Sequence, residues 1–200
     1  MHQLPEIRIK YSWLLHEKIS KLFWEKYWQP KGRPFPTKEK AIERVETYRN
    51  AWQLVERKIL VGMCDAFGLE FYQPVIDVAV APLLPSISTP LITNMRYEPE
   101  QWVDLVTHEL FHILLTDSKP KFDYDAWQKE HCVDMERTTR NHILVHAGMK
   151  HIYLDIHSDP DRLKRDMIES EQWEGYNEAW EVVEQRGYRD LIESSKRFYR

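Results

Sequence analysis

The segment His108-Glu109-Leu110-Phe111-His112 concentrates more potential chemistry than any other five residues of the chain. Histidines four positions apart stand one above the other on one face of a helix, so two imidazoles can converge on a single ion. The glutamate beside the first histidine then lies toward a third corner of such a site, where a water on that ion would be held. With nine histidines and 20 glutamates in 200 residues, chance placement gives about 0.04 matches to this pattern. The spacing alone is suggestive; its surroundings strengthen it.

Trp102-Val103-Asp104-Leu105-Val106-Thr107 precede the motif and Ile113-Leu114-Leu115-Thr116 follow it. Apolar residues on nearly every side predict a helix buried all round. Burying two histidines and a glutamate there without partners costs about 1–3 kcal/mol for each unsatisfied polar group, and more for a charge. A metal ion would resolve that cost. The competing reading is a core helix whose histidines bond to backbone carbonyls. The motif resembles the active-site helix of the zincin metallopeptidases. That resemblance, confined to roughly positions 70–156 and specific only in the five-residue motif, implies one Zn2+ on His108 and His112, a further protein ligand and a water. It also implies Glu109 as the general base, taking a proton from that water and passing it to the departing amine. The implied activity is peptide-bond hydrolysis, with a peptide or protein as substrate. A non-catalytic protein with a structural metal, or one that binds a partner without metal, is the alternative.

Two histidines do not hold a catalytic zinc well, so a third ligand is required. Ile113-Leu114-Leu115-Thr116-Asp117 after the motif excludes the metzincin continuation, which places glycine and histidine there. Glu136 lies 24 positions after His112, a separation similar to that of the gluzincins. His142 and His146 form a second pair four apart. If Val145, Met149, Ile152 and Ile156 are the buried stripe of their helix, His142 falls about 50° from its centre, His146 about 90° and Glu136 about 170°. Helical phase therefore favours His142, with His146 and Glu136 as alternatives. The argument against Glu136 lapses if the helix begins near Thr138 or Thr139.

Weaker candidates surround these. Asp104, one turn before His108, could orient its imidazole or simply favour the helix dipole. Tyr153 or Arg140 could stabilise an oxyanion, and Cys132 or the spare histidine could close a structural site as a fourth ligand. His131, His151 and His157 read as surface or packing residues.

The elements that must position these groups follow from periodicity. Ile7, Ile9 and Tyr11 alternate briefly, and Trp13, Leu14, Ile19, Leu22 and Phe23 then turn helical before the loop at Pro30–Pro36. Thr37 is the expected N-cap of one long helix with an apolar stripe from Ala41 to Ala66, ended by Gly68. Val75–Ala81 and Pro90–Met95 read as strands around a proline-rich turn. The stretch Leu91–Asn94 is the expected sheet edge for an extended peptide. Pro99 suits the start of the motif helix. A second helix is expected from Cys132 to Ile156, and Pro160 opens a last section with helices around Met167, Ala179–Val183 and Leu191–Phe198.

The expected architecture is α+β, mainly helical, with a small sheet before the motif helix. It is read as one domain over 1–200, with N-terminal helices in 1–66, sheet, motif helix and third-ligand helix in 69–156, and C-terminal helices in 160–200. Apolar residues at 42% and charged residues at 30% are ordinary for a globular chain. A formal net charge of −4 argues against nucleic acid. Cys64 and Cys132 are expected to be reduced thiols. Residues 1–8 lack the apolar core of a secretory signal, and no stretch approaches the roughly 18 apolar residues of a membrane span. A cytoplasmic protein without a membrane partner is the expectation, with the oligomeric state left open.

Overall fold

The computed structural model describes residues 2–119 and 121–200, the side chain of Lys119 excepted. In chain order it runs β1 (Glu6–Tyr11), α1 (Lys21–Tyr27), α2 (Lys38–Gln53), α3 (Glu56–Phe67), β2 (Glu70–Phe71), β3 (Val75–Ala81), β4 (Ile87–Ser88), β5 (Leu91–Asn94), α4 (Pro99–Thr116), β6 (Ser118–Lys119), α5 (Tyr124–His131), α6 (Arg137–His151), α7 (Pro160–Ser170), α8 (Glu174–Arg186) and α9 (Tyr188–Ser195). Wider π-type turns at Leu15–Ser20 and Ile152–His157 lead into α1 and out of α6. This is the mainly helical α+β class expected, with a small sheet ahead of the motif helix. Two compact units are delimited, one of Pro5–Glu56 and Gln73–Leu110, the other of Met1–Leu4, Arg57–Tyr72 and Phe111–Arg200. The division falls inside α4, a single unbroken helix.

The first unit is built on a mixed sheet in the order β1-β3-β5-β4. β1 runs parallel to β3 from Glu6↔Val75 to Tyr11↔Val80, and β3 runs parallel to β5 from Ala79↔Ile92 to Ala81↔Asn94. Ile7 and Ile9 alternate inward on β1, as do Ile76, Val78 and Val80 on β3. β5 is not an edge: β4 pairs antiparallel with it through Ile87↔Ile92 and Ser88↔Leu91. The proline-rich turn supplies two residues of extended chain, which cover Leu91 and Ile92. At the other side, Arg49 of α2 donates from Nε and from a terminal nitrogen to the Ile9 carbonyl, at 2.9 and 2.7 Å.

Thr37 caps α2 by accepting from the Lys40 amide, and Ala41, Val45, Tyr48 and Trp52 bury the expected stripe. The long helix is nevertheless two helices. It breaks at Leu54–Val55, where the Val55 amide turns back to the Trp52 carbonyl. Tyr48 stacks on Trp102, with centroids 4.4 Å apart, and its hydroxyl donates to the Tyr97 carbonyl at 2.6 Å. Trp102 donates to Thr93 Oγ1 of β5 at 2.9 Å. The first turns of α4 are thereby fixed to both α2 and the sheet.

The second unit packs α8 and α9 against α6. The helix expected from Cys132 to Ile156 is divided. Cys132 closes α5, its amide donating to the Gln128 carbonyl, and α6 starts only at Arg137. Asp134 sits between them in the left-handed region, at φ 60°. Cys64 and Cys132 are free and buried, and burial pushes their thiols up to about 12 and about 11. Trp52, Trp102, Trp127 and Trp180 are fully buried, so half of the eight tryptophans fill the two cores. Among the described residues no helix is long and apolar enough to cross a membrane.

Candidate metal centre

Both histidines of the motif stand on α4. Gln101, Asp104, Leu105, His108 and His112 are half-buried and recur every three or four residues, whereas the other positions from Trp102 to Leu115 are buried. The helix is therefore not buried all round, as its composition predicts. One stripe, carrying its polar side chains, stays partly open. Asp104 lies on that stripe one turn before His108, where the sequence places it.

His142 comes from α6. One potential ligand atom from each of His108, His112 and His142 lies within 4.8 Å of the others. His108 is held to His112 by the helix they share, and the rings of His112 and His142 meet edge to face, with centroids 4.9 Å apart. Bonds of about 2.0–2.1 Å to a common ion would draw these nitrogens closer together.

The donor set suits a metal in two further respects. His142 Nδ1 lies 2.7 Å from the Thr138 carbonyl, which can only accept, so Nδ1 carries the proton and donates. Nε2 is left with its lone pair, the form in which imidazole ligates. Burial first, and then the repulsion that a second imidazolium at His142 would exert, hold His112 down at about 3. Burial likewise lowers His142 against the opposing effect of its bond to Thr138. Both rings are neutral near pH 7. Glu109 is buried, and desolvation pushes its carboxyl up to about 7.

Two glycines set how closely the supporting helices approach. A Cβ on Gly175, at the start of α8, would lie 2.7 Å from Thr138 Cβ. The absence of a side chain there lets α8 come down on the first turn of α6. The next residue, Tyr176, then lays its ring against His142 at a centroid distance of 4.0 Å. Tyr176 escaped the sequence reading because nothing local links position 176 to position 142. A Cβ on Gly148 of α6 would lie 2.6 Å from Phe111, the buried residue preceding His112 on α4. We expect Gly148→Ala to cost about 1–3 kcal/mol of stability through overpacking, outweighing the roughly 1 kcal/mol of helix propensity that alanine gains. It should also weaken metal binding by separating α6 from His112. Urea unfolding with a metal titration checks both, and an unchanged midpoint with unchanged affinity would refute the close approach.

The other candidates are placed elsewhere. His146 is buried and stacks on Trp180 at 4.4 Å, with Tyr176 on another side; burial lowers it well below its ordinary value. Glu136 is exposed and is the N-cap of α6, its carboxylate accepting from the Thr138 amide. That bond holds its carboxyl below the usual range. The cap thus falls on Glu136 and not on Thr138 or Thr139. Neither residue, nor Cys132, joins the three-histidine group found among the described residues. Tyr153 is buried, its hydroxyl donating to Asp166 at 2.9 Å, and Arg140 is half-buried on α6. His131 stacks on Trp127 and accepts from Arg186, and His151 pairs with Asp155 at 2.9 Å. Compared with models of known protein families, with curated proteins and with solved structures, the chain matches none, so the site is read from its own residues.

Proposed function

We propose that the chain is a zinc-dependent hydrolase, a metallopeptidase, with one Zn2+ on His108, His112 and His142. The observation that carries this reading is the convergence of three imidazoles, one of them fixed in its ligating tautomer, with a buried glutamate next in sequence to His108. The group found among the described residues offers three ligands, which supports an open coordination position, the arrangement of catalytic and not structural zinc. Zinc, when bound, lowers the pKa of a coordinated water from 15.7 to about 7 and polarises a carbonyl.

The remaining chemistry belongs to the chain. Glu109, whose carboxyl burial raises to about 7, matches a group that takes a proton and returns it near neutrality. His142, held by Thr138 on one side and Tyr176 on another, keeps its lone pair directed by packing. The half-buried stripe of α4 leaves His108 and His112 partly open to solvent, as a site that admits a substrate requires. The two buried thiols suit a reducing compartment, which supports a cytoplasmic location.

Protein purified without added metal or chelator should contain about one zinc per chain by elemental analysis. It should cleave an unstructured polypeptide such as casein, lose that activity to a chelator and regain it with stoichiometric zinc. Stoichiometric zinc without cleavage would favour a structural metal. Metal-free protein indifferent to added zinc would overturn the reading.

A further inference from the structure

The helix α1 is formed without a core of its own. None of its seven residues is buried. Trp24, half-buried, is its one inward anchor, donating from Nε1 to the Arg33 carbonyl at 2.7 Å and resting on Phe35. The preceding π-type turn is tied by buried His16, which bonds to the Tyr11 hydroxyl and to the Pro36 carbonyl. What this anchored segment presents outward is apolar. Trp13, Leu14, Ile19, Leu22, Phe23 and Tyr27 are all exposed, Leu22 at 65% and Trp13 at 55%. Ile19, Phe23 and Tyr27 follow one another at four-residue spacing, so they form one stripe with Leu22 beside it. Outside this segment the exposed large apolar residues are dispersed, from Ile42 and Leu54 to Ile168 and Trp173.

Charge distinguishes this face as sharply as hydropathy does. Residues 13–33 hold Lys18, Lys21, Lys26, Lys31 and Arg33 against Glu17 and Glu25, a net +3. The chain carries −4, so the remainder carries −7. Cations lie over the aromatic rings of the same segment: Lys18 over Trp13, Lys26 over Tyr27, and Arg33 over Trp28 at 4.5 Å. Aromatic and aliphatic side chains on one face, ringed by lysine and arginine, are the composition of a helix lying in the plane of a membrane interface.

From this face we infer that the segment Trp13–Arg33 docks the protein on an anionic lipid surface, with α1 lying along the headgroups. Leu14, Ile19 and Leu22 reach the acyl boundary while the lysines stay with the phosphates. Nucleic acid fits less well, because the aliphatic side chains have nothing to stack on. The expectation of no membrane partner came from the lack of a spanning stretch, and a surface helix needs none.

Sedimentation of the full chain with vesicles tests this. Binding is expected to vesicles with one third phosphatidylserine and not to pure phosphatidylcholine, and to weaken as salt rises. Each lysine near such a surface is worth about fivefold in partitioning, so K18E/K21E should lower it by about 25-fold or more. L22S/F23S, at exposed positions, should lower it by at least about tenfold while leaving the unfolding midpoint in place. Failure to sediment with anionic vesicles, or equal binding by both variants, would overturn the proposal. So would a change of oligomeric state in L22S/F23S, which makes the face a self-association surface, or retention on a single-stranded oligonucleotide lost in K18E/K21E.

Discussion

Replacing His142 by alanine is expected to lower zinc affinity by more than about a hundredfold. Groups that merely orient a ligand are worth about 10–100-fold in affinity, and His142 is proposed as a ligand itself. As a ligand it would add a third lone pair from α6 to the two that His108 and His112 offer from α4. His146→Ala and Glu136→Ala serve as the contrasting variants. The first removes a ring stacked on Trp180, and the second a capping carboxylate worth about 1 kcal/mol of stability. Neither should change metal content. A competition titration against a chromophoric chelator measures all three. A greater loss in Glu136→Ala than in His142→Ala would return the third-ligand role to the glutamate.

Glu109→Gln should divide metal binding from turnover. The amide has the shape of the carboxyl and fits the same buried position, yet it cannot accept and return a proton. Zinc content should stay at the wild-type level while kcat for peptide hydrolysis falls by about 10²–10⁴-fold, the usual contribution of a positioned general base. Retained turnover would remove Glu109 from the mechanism. Loss of zinc with loss of activity would make it a structural neighbour of the ligands.

What the chain disclosed in advance was whatever depends on local spacing. The pair His108 and His112, the cap at Thr37, the start of α4 at Pro99 and the strand Val75–Ala81 are each set by residues a few positions apart. Helical phase ranked His142 first by assuming a one-sided buried stripe, yet every residue from His142 to Met149 is buried, so phase alone does not set it apart from His146. The breaks were not legible. Leu54–Val55 interrupts α2 and α3 without glycine or proline, and the apolar spacing continues across it. Asp134 takes a positive φ that the sequence does not announce. Glu136 is an uncommon cap, outside the serine, threonine, aspartate and asparagine set that a reader looks for. Tyr176 became visible only when Gly175 was seen against Thr138. The exposure of α1 was not legible either: the apolar residues around Leu22 and Phe23 predict a helix but do not say what covers it.

The guanidinium of Arg49 on the Ile9 carbonyl also bears on how copies of this chain behave at high concentration. An open sheet margin is a template for polymerisation, because any extended chain can add to its unpaired amides and carbonyls. Here one margin is obstructed by a charged side chain and the opposite one is only two residues long. Growth of intermolecular β-structure from this four-stranded sheet is disfavoured at both ends, which leaves side-chain contacts as the more open route to clumping of the folded protein.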